Sequence, residues 1–171
     1  RLCFQMLCAN LAMNGILNVL AVPKAVGREV GHAWVPPQET KENGLINTGG
    51  VVLNDRGYGD HVAMVAIDAL ERDFDFIRAD VEEMELELVR GGEATIRRCR
   101  PMMSLESNHN SDALLQALFD LDYKCHWHFP PLYQDANFRN NTVNEHFQGT
   151  VSLNLLCVPH EVDLHLEGFV E

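Results

Sequence analysis

The residues best suited to chemistry stand where short apolar segments end. Residues 74–79 form a mostly apolar run that is typical of a buried strand, and Asp80 follows it directly, before an acidic stretch with helical spacing. Residues 101–106 predict a second strand, which ends at the carboxylate of Glu106. In open α/β sheets, ligands bind outside the carboxyl ends of the strands. We therefore predict that Asp80 lies where the protein carries out its chemistry.

Two histidines share one face of a later strand. Residues 123–128 alternate in character, so that His126 and His128 fall on one side and Tyr123, Cys125 and Trp127 on the other. A His-x-His spacing can hold a metal ion. The spacing alone is a weak metal signal, however, and contact with a substrate or simple placement at the surface is the preferred interpretation.

A long segment, residues 27–60, is rich in Gly, Pro and Asn and reads as a loop or insertion. Loops of this length inside a domain tend to be functional. Asn47, Gly49 and Gly50 lie within it, and glycines allow a close backbone approach to a ligand. Closure over a ligand and an ordinary flexible loop explain this segment about equally well.

The order of elements predicts one α/β domain over residues 1–171. Strands alternating with helices indicate a mostly parallel sheet, and the last two strands, joined by a non-helical loop, are expected to pair antiparallel. The predicted helices cover residues 2–14, 81–98 with a break at Gly91-Gly92, and a stretch from Ser111. The predicted strands cover residues 18–22, 62–67, 74–80, 101–106, 123–128 and 151–158.

Composition restricts the partners. The formal net charge of −12 argues against sequence-independent nucleic-acid binding and against anionic membranes, so a small-molecule or sugar-like substrate, or a cationic partner, fits better. The first residues lack the apolar core and cleavage site of a signal peptide, which favours a cytoplasmic protein. Five cysteines without any C-x-x-C spacing are expected to be buried, reduced thiols.

Several segments together resemble the FkbM family of S-adenosylmethionine-dependent methyltransferases. They are Asp75-Phe-Ile-Arg-Ala-Asp-Val-Glu-Glu-Met-Glu85, Arg90-Gly-Gly-Glu-Ala-Thr-Ile-Arg-Arg-Cys-Arg-Pro101 with Glu106, Ala66-Ile-Asp68-Ala-Leu, His126-Trp-His-Phe-Pro-Pro and Ser152-Leu-Asn-Leu-Leu-Cys-Val-Pro159. The resemblance implies a Rossmann-like class I methyltransferase sheet. It also implies O-methylation of a small-molecule or sugar hydroxyl.

The resemblance also implies roles for individual residues. Asp80 and Glu82 become catalytic candidates, although Asp80 could cap the next helix and Glu82 could act on the helix N-terminus electrostatically. Glu85 is expected at the solvated surface. Substrate contacts are expected from Glu106, Asn108, His109, His126 and His128, and cofactor contacts from Asn47, Gly49 and Gly50. By analogy with other methyltransferases, Asp80 and Glu106 could hold a divalent metal such as Mg²⁺.

Two departures from the family pattern shape these expectations. The family's Lys-Ile-Asp-Val-Glu-Gly appears as Arg78-Ala-Asp-Val-Glu-Glu83, which places a bulky charge where the family has glycine. The similarity begins after the family's first two strands and its Gly-rich cofactor turn. We therefore expect a partial domain that does not bind the cofactor alone. A degenerate, non-catalytic binding or scaffolding module is the alternative.

Overall fold

The computed structural model describes residues 2–37, 50–107, 111–138, 140–142, 147, 149–167 and 169–170. Seven strands, four α-helices and a short 3-10 helix are present in these residues. They are α1 (Leu2–Met13), β1 (Ala25–Val26), β2 (Gly31–Val35), β3 (Asp60–Val65), the 3-10 helix (Ile67–Leu70), β4 (Phe76–Ala79), α2 (Glu85–Gly91), α3 (Glu93–Cys99), β5 (Met102–Glu106), α4 (Ser111–Asp120), β6 (Tyr123–His128) and β7 (Asn154–Pro159). The predicted α/β class is confirmed.

The larger sheet contains four strands in the order β4-β5-β7-β6. Strands β4 and β5 are parallel, whereas β7 runs antiparallel to both β5 and β6. The predicted antiparallel pairing of the last two strands is therefore confirmed. Strand β7 lies between β5 and β6, and β4, β5 and β6 run in one direction, so β7 is the single antiparallel strand of this four-stranded sheet, as the sequence predicted.

A second, three-stranded sheet has the order β1-β3-β2. Strand β2 pairs antiparallel with β3, although residues 27–60 were predicted to be loop. The sequence did not predict this strand because Gly31 and the following Pro36-Pro37 are typical of loops. Pairing with β3 stabilises the strand despite that local composition. The strand predicted at residues 18–22 is wrong: this segment is irregular and pairs with no strand in the described residues.

The hydrophobic core lies on one face of the four-stranded sheet. Alternate residues of the strands point into it, including Ile77, Met103 and Leu155, and helices α2 and α4 cover them with side chains such as Leu88 and Leu118. The opposite face is more open, and it carries the polar residues described below. Outside these helices and sheets, α1 forms as predicted but buries no side chain, and Leu2 and Met6 are each 62% exposed.

The cysteines differ in burial. Cys157 is buried and Cys99 and Cys125 are half-buried, but Cys3 and Cys8 lie exposed on α1, so the prediction of buried thiols is wrong for these two. All five are free thiols. In the described part of the chain, no helix has both the length and the apolar character needed to cross a membrane.

Candidate functional site

Asp80 and Glu106 lie at the same edge of the four-stranded sheet. Parallel pairing of β4 with β5 sets Ala79 opposite Leu105, and the two acidic residues come one position later on each strand. One ligand oxygen from each of Asp80, Glu82 and Glu106 lies within 4.8 Å of the others. The structure thus brings together three of the carboxylates that the sequence singled out. We call them the carboxylate cluster.

The turn between β4 and α2 directs Glu82 toward this cluster. Glu82 and Glu83 both adopt left-handed backbone, with φ of 45° and 71°. The first residue of α2, Glu85, folds back and accepts a 3.1 Å hydrogen bond from the backbone N–H of Val81. Glu85 is buried, so its predicted place at the solvated surface is wrong. Its carboxylate instead fixes the turn that carries Glu82.

Burial and neighbouring negative charges raise the pKa of Glu82. Burial contributes most to raising the pKa of Glu82, and the nearby charges of Asp80, Glu85 and Glu83 raise it further. A carboxylate with a raised pKa is a stronger base and holds a proton more readily. The pKa of Glu82 is therefore higher than that of an ordinary surface glutamate.

A polar row extends from the carboxylate cluster across the sheet. Glu106 pairs with Asn154 on β7, and Asn154 pairs with His128 on β6. Directly opposed residues of antiparallel strands share a face. The row Glu106, Asn154 and His128 therefore lines one side of the sheet over about 10 Å, two strand spacings.

Asn154 is a member of this row that the sequence reasoning did not assign to the site. Its side-chain amide donates a 3.0 Å hydrogen bond to Ser152 Oγ, which fixes its orientation. The signal that could have identified it is the predicted antiparallel pairing of the last two strands. That pairing, with the correct register, places Asn154 between a predicted carboxylate and a predicted histidine.

The two histidines occupy different positions relative to the row. Both are half-buried on the same face of β6, as the alternation predicted. His128 stacks on Phe169, with ring centroids 4.8 Å apart. His126 pairs with Leu156 and lies two residues further from the cluster edge. His128 is therefore the histidine nearer to the carboxylates along the sheet.

Several predicted site residues cannot be placed against this geometry. Asn47, Gly49, Asn108 and His109 lie outside the described residues. Gly50 is described and exposed. Contacts of these five residues with a cofactor or substrate stay predictions.

The carboxylate cluster has the chemistry of a cation site. Carboxylate oxygens are the ligands that Mg²⁺ and Ca²⁺ prefer. The same negative charge suits an organic cation, and the base strength of Glu82 suits removal of a proton from a hydroxyl group. The arrangement can therefore hold a cation, accept a proton, or divide these tasks among its members.

Comparison with known proteins adds a family. The model of a protein family described as methyltransferase FkbM domain matches residues 35–125, just over half of the chain. The carboxylate cluster lies inside the matched segment, whereas Asn154 and His128 lie beyond it. Searches of curated proteins and of solved structures gave no match.

Proposed function

The chain belongs to the methyltransferase FkbM domain family, and on this premise we propose that it transfers a methyl group from S-adenosylmethionine to a hydroxyl oxygen. The acceptor is a small molecule or a sugar. The observation that carries the proposal is the carboxylate cluster, in which Asp80, Glu82 and Glu106 meet at the carboxyl ends of two parallel strands. This is where open α/β sheets bind their ligands.

The strand arrangement supports a Rossmann-like class I methyltransferase fold. The order β4-β5-β7-β6, with β7 antiparallel, is the order that the class I sheet has in its second half. In that fold the free edge of β4 faces the strands that bind the cofactor. The carboxylate cluster then lies on the side from which the acceptor approaches.

The residues present fit the charge of the proposed cofactor. S-adenosylmethionine, when bound, supplies an electrophilic methyl group on a positively charged sulfur. The negative carboxylate cluster suits a neighbouring cation. Asn47, Gly49 and Gly50 are the residues proposed to hold the cofactor. A divalent ion such as Mg²⁺ would use the oxygens of Asp80 and Glu106.

The chain's own groups then act on the acceptor. The hydroxyl to be methylated donates a hydrogen bond to Asp80 or Glu82, and Glu82 takes its proton because the pKa of Glu82 is raised. Glu106 and Asn154 hold neighbouring polar groups of the acceptor. His128, stacked on Phe169, borders the far end of the row. Orientation of the acceptor oxygen is the main contribution of such a site.

The test is transfer of labelled methyl groups by the protein in its full native length. The acceptors are a panel of monosaccharides, catechols and polyketide-like alcohols, and release of S-adenosylhomocysteine gives a second readout. Asp80→Asn and Glu82→Gln should each reduce transfer by about 10² or more while leaving cofactor binding intact. Glu93→Gln, at an exposed position of α3, is the matched control and should retain activity.

The possible outcomes separate the alternatives. Retained transfer in both variants would remove the carboxylate cluster from the mechanism. Cofactor binding without transfer to any acceptor would favour the non-catalytic binding module. Treatment with EDTA tests the ion: loss of transfer that Mg²⁺ restores supports a metal at Asp80 and Glu106, and unchanged transfer removes it from the proposal.

A further inference from the structure

Two cysteines face each other on adjacent strands, away from the carboxylate cluster. Cys125 on β6 and Cys157 on β7 are direct partners in the antiparallel register. Cys157 is completely buried in the hydrophobic core, and Cys125 is half-buried and packs against that core. On the same face, the pairs on either side of them are Tyr123 with Pro159 and Trp127 with Leu155.

The hydrogen-bond pattern shows which kind of pair they form. Trp127 gives its N–H to Val170 O at 2.6 Å and accepts from Val170 N–H at 2.9 Å, so its backbone points away from β7. Hydrogen-bonded and non-hydrogen-bonded pairs alternate along an antiparallel ladder. Cys125 lies two residues before Trp127, so its backbone N–H and C=O also point away from β7. Pro159, which has no N–H, fits the same class opposite Tyr123.

Cys125 and Cys157 are therefore a non-hydrogen-bonded pair, the closer of the two classes. Such partners have Cα atoms about 4.5 Å apart. Disulfides accept Cα separations from about 4.4 to 6.8 Å, so the backbone meets this requirement at its short end. A bridge at this position would link β6 to β7, three residues from His128 and three from Asn154.

The two thiols also differ in reactivity. The hydrogen bond with Cys157 lowers the pKa of Cys125, and the same contact, together with burial, raises the pKa of Cys157 well above its usual value. Thiolates are the species that react with oxidants. Cys125 is half-buried and is therefore the thiol of the pair that solvent reaches. Cys157 is buried directly opposite Cys125 and can form a disulfide with it.

We propose that Cys125 and Cys157 form a redox-active dithiol site that reacts with hydroperoxides. The Cys125 thiolate attacks one oxygen of hydrogen peroxide, the O–O bond breaks, and sulfenic acid and hydroxide form. The Cys157 sulfur then displaces hydroxide from the sulfenic acid, and its proton goes to the leaving oxygen to form water. The hydroxide from the first step takes up the proton that the Cys125 thiol lost on ionising. The two thiols therefore lose two electrons in total, and one peroxide becomes two waters.

The test uses a variant that keeps only this pair. Cys3→Ser, Cys8→Ser and Cys99→Ser together remove the exposed thiols and the thiol that hydrogen-bonds to Asp73. Dilute hydrogen peroxide should reduce the mass of this variant by two hydrogen atoms. Proteolysis should yield one bridged peptide joining Cys125 to Cys157, and dithiothreitol should reverse the change. Absence of the bridged peptide at every peroxide concentration would overturn the proposal.

A second pair of variants assigns the roles. With Cys157→Ser added, Cys125 should form a sulfenic acid that dimedone traps. With Cys125→Ser added, Cys157 should stay unmodified, because it is buried. Trapping at Cys157 with equal yield in this second variant would contradict the assigned order. Cys125 is the more exposed of the two, so Cys125→Ser disturbs the core less than Cys157→Ser. If Cys157→Ser does not fold, Cys125→Ser still shows whether Cys157 reacts first.

Discussion

Asp68 accepts a 2.7 Å hydrogen bond at Oδ1 from the backbone N–H of Thr95, a residue 27 positions later. Its other carboxylate oxygen accepts from the N–H of Ala94 at 3.1 Å. Both amides belong to the first turn of α3, where they have no partner within the helix. Asp68 therefore caps α3 from the 3-10 helix and fixes the two elements together.

Removing this cap should destabilise the protein. Asp68→Ala is expected to lower the free energy of unfolding by about 1 kcal/mol, the usual effect of losing a capping side chain. Urea denaturation measures the change, with exposed Asp55→Ala as the control. A loss no larger than that of the control would show that solvent satisfies the two amides equally well.

The same contact makes a pH prediction. Burial tends to raise the pKa of Asp68, but hydrogen bonds from Thr95 and Ala94 outweigh it and place the pKa below the usual 3.8. The stabilisation is therefore complete above about pH 3.8 and is lost as the pH falls through the folded-state pKa. The stability difference between Asp68→Ala and the native protein should shrink over that acidic range, as followed by urea denaturation at each pH.

Gly91 is predicted to tolerate alanine worse than its neighbour Gly92. A Cβ at Gly91 would lie 2.3 Å from Gly27 O and 2.9 Å from Arg28 Cα, both backbone atoms, whereas at Gly92 the nearest atom is the Ile67 side chain at 3.1 Å. We expect Gly91→Ala to cost about 1–3 kcal/mol by overpacking. Thermal denaturation of the two variants compares them directly, and equal costs would show that the chain near Gly27 moves away freely.

Glu83 should gain stability from glycine. Its φ of 71° is a left-handed conformation that costs a side-chain-bearing residue about 1 kcal/mol, and the strain disappears in glycine. Glu83→Gly should therefore raise the free energy of unfolding by roughly 0.5–1 kcal/mol. Glu29→Gly, at an exposed position without positive φ, is the control and should not stabilise. A destabilised Glu83→Gly would indicate that its contacts outweigh the backbone strain.

The sequence predicted the second half of the chain much better than the first. Strong apolar runs end sharply at Ala79 and Leu105, and their strands and helices formed within a few residues of the predicted bounds. The predicted helix from Ser111 forms as α4, and its Leu114 and Leu118 lie in the hydrophobic core. Local pattern was sufficient there because each element buries its own apolar face.

The first half depends on contacts that local pattern does not contain. Strand β2 forms through pairing with β3, more than 20 residues away, and residues 18–22 stay irregular despite an apolar composition. In the site, strand ends predicted the meeting of Asp80 with Glu106. Asn154 required the register of β7, and the burial of Glu85 required the left-handed turn at Glu82 and Glu83.

Acid should weaken the contact between Arg100 and Glu161. Arg100 donates to both carboxylate oxygens, at 2.8 and 2.7 Å, and this lowers the pKa of Glu161 to about 2. The pair therefore stabilises the fold fully above the usual carboxyl pKa of 4.5, and its contribution is lost as the pH falls toward 2. The stability difference between native protein and Glu161→Gln should follow that course in acid titrations monitored by circular dichroism.

Arg100→Lys separates geometry from charge in this pair. Lysine keeps the positive charge but cannot make the two-pronged contact. The pKa of Glu161, measured by NMR titration, should rise toward its usual value in this variant. An unchanged pKa would mean that charge alone, without the paired hydrogen bonds, accounts for the shift.

Asp80→Asn should lower the pKa of Glu82. Burial is the largest cause of the raised value and remains in the variant, but the charge of Asp80, the next cause, is removed. The pKa should therefore fall only part of the way toward 4.5. A raised folded-state pKa also means that stability declines as the pH rises from 4.5 through the folded value. In Asp80→Asn the decline should still begin near pH 4.5, but it should end at a lower pH and be smaller. Carbon-13 NMR of labelled glutamate carboxyls measures the shift, with Glu93→Gln as a distant control. An unchanged Glu82 pKa in Asp80→Asn would show that the two carboxylates do not interact. The charge of Asp80 would then play no part in raising the pKa of Glu82.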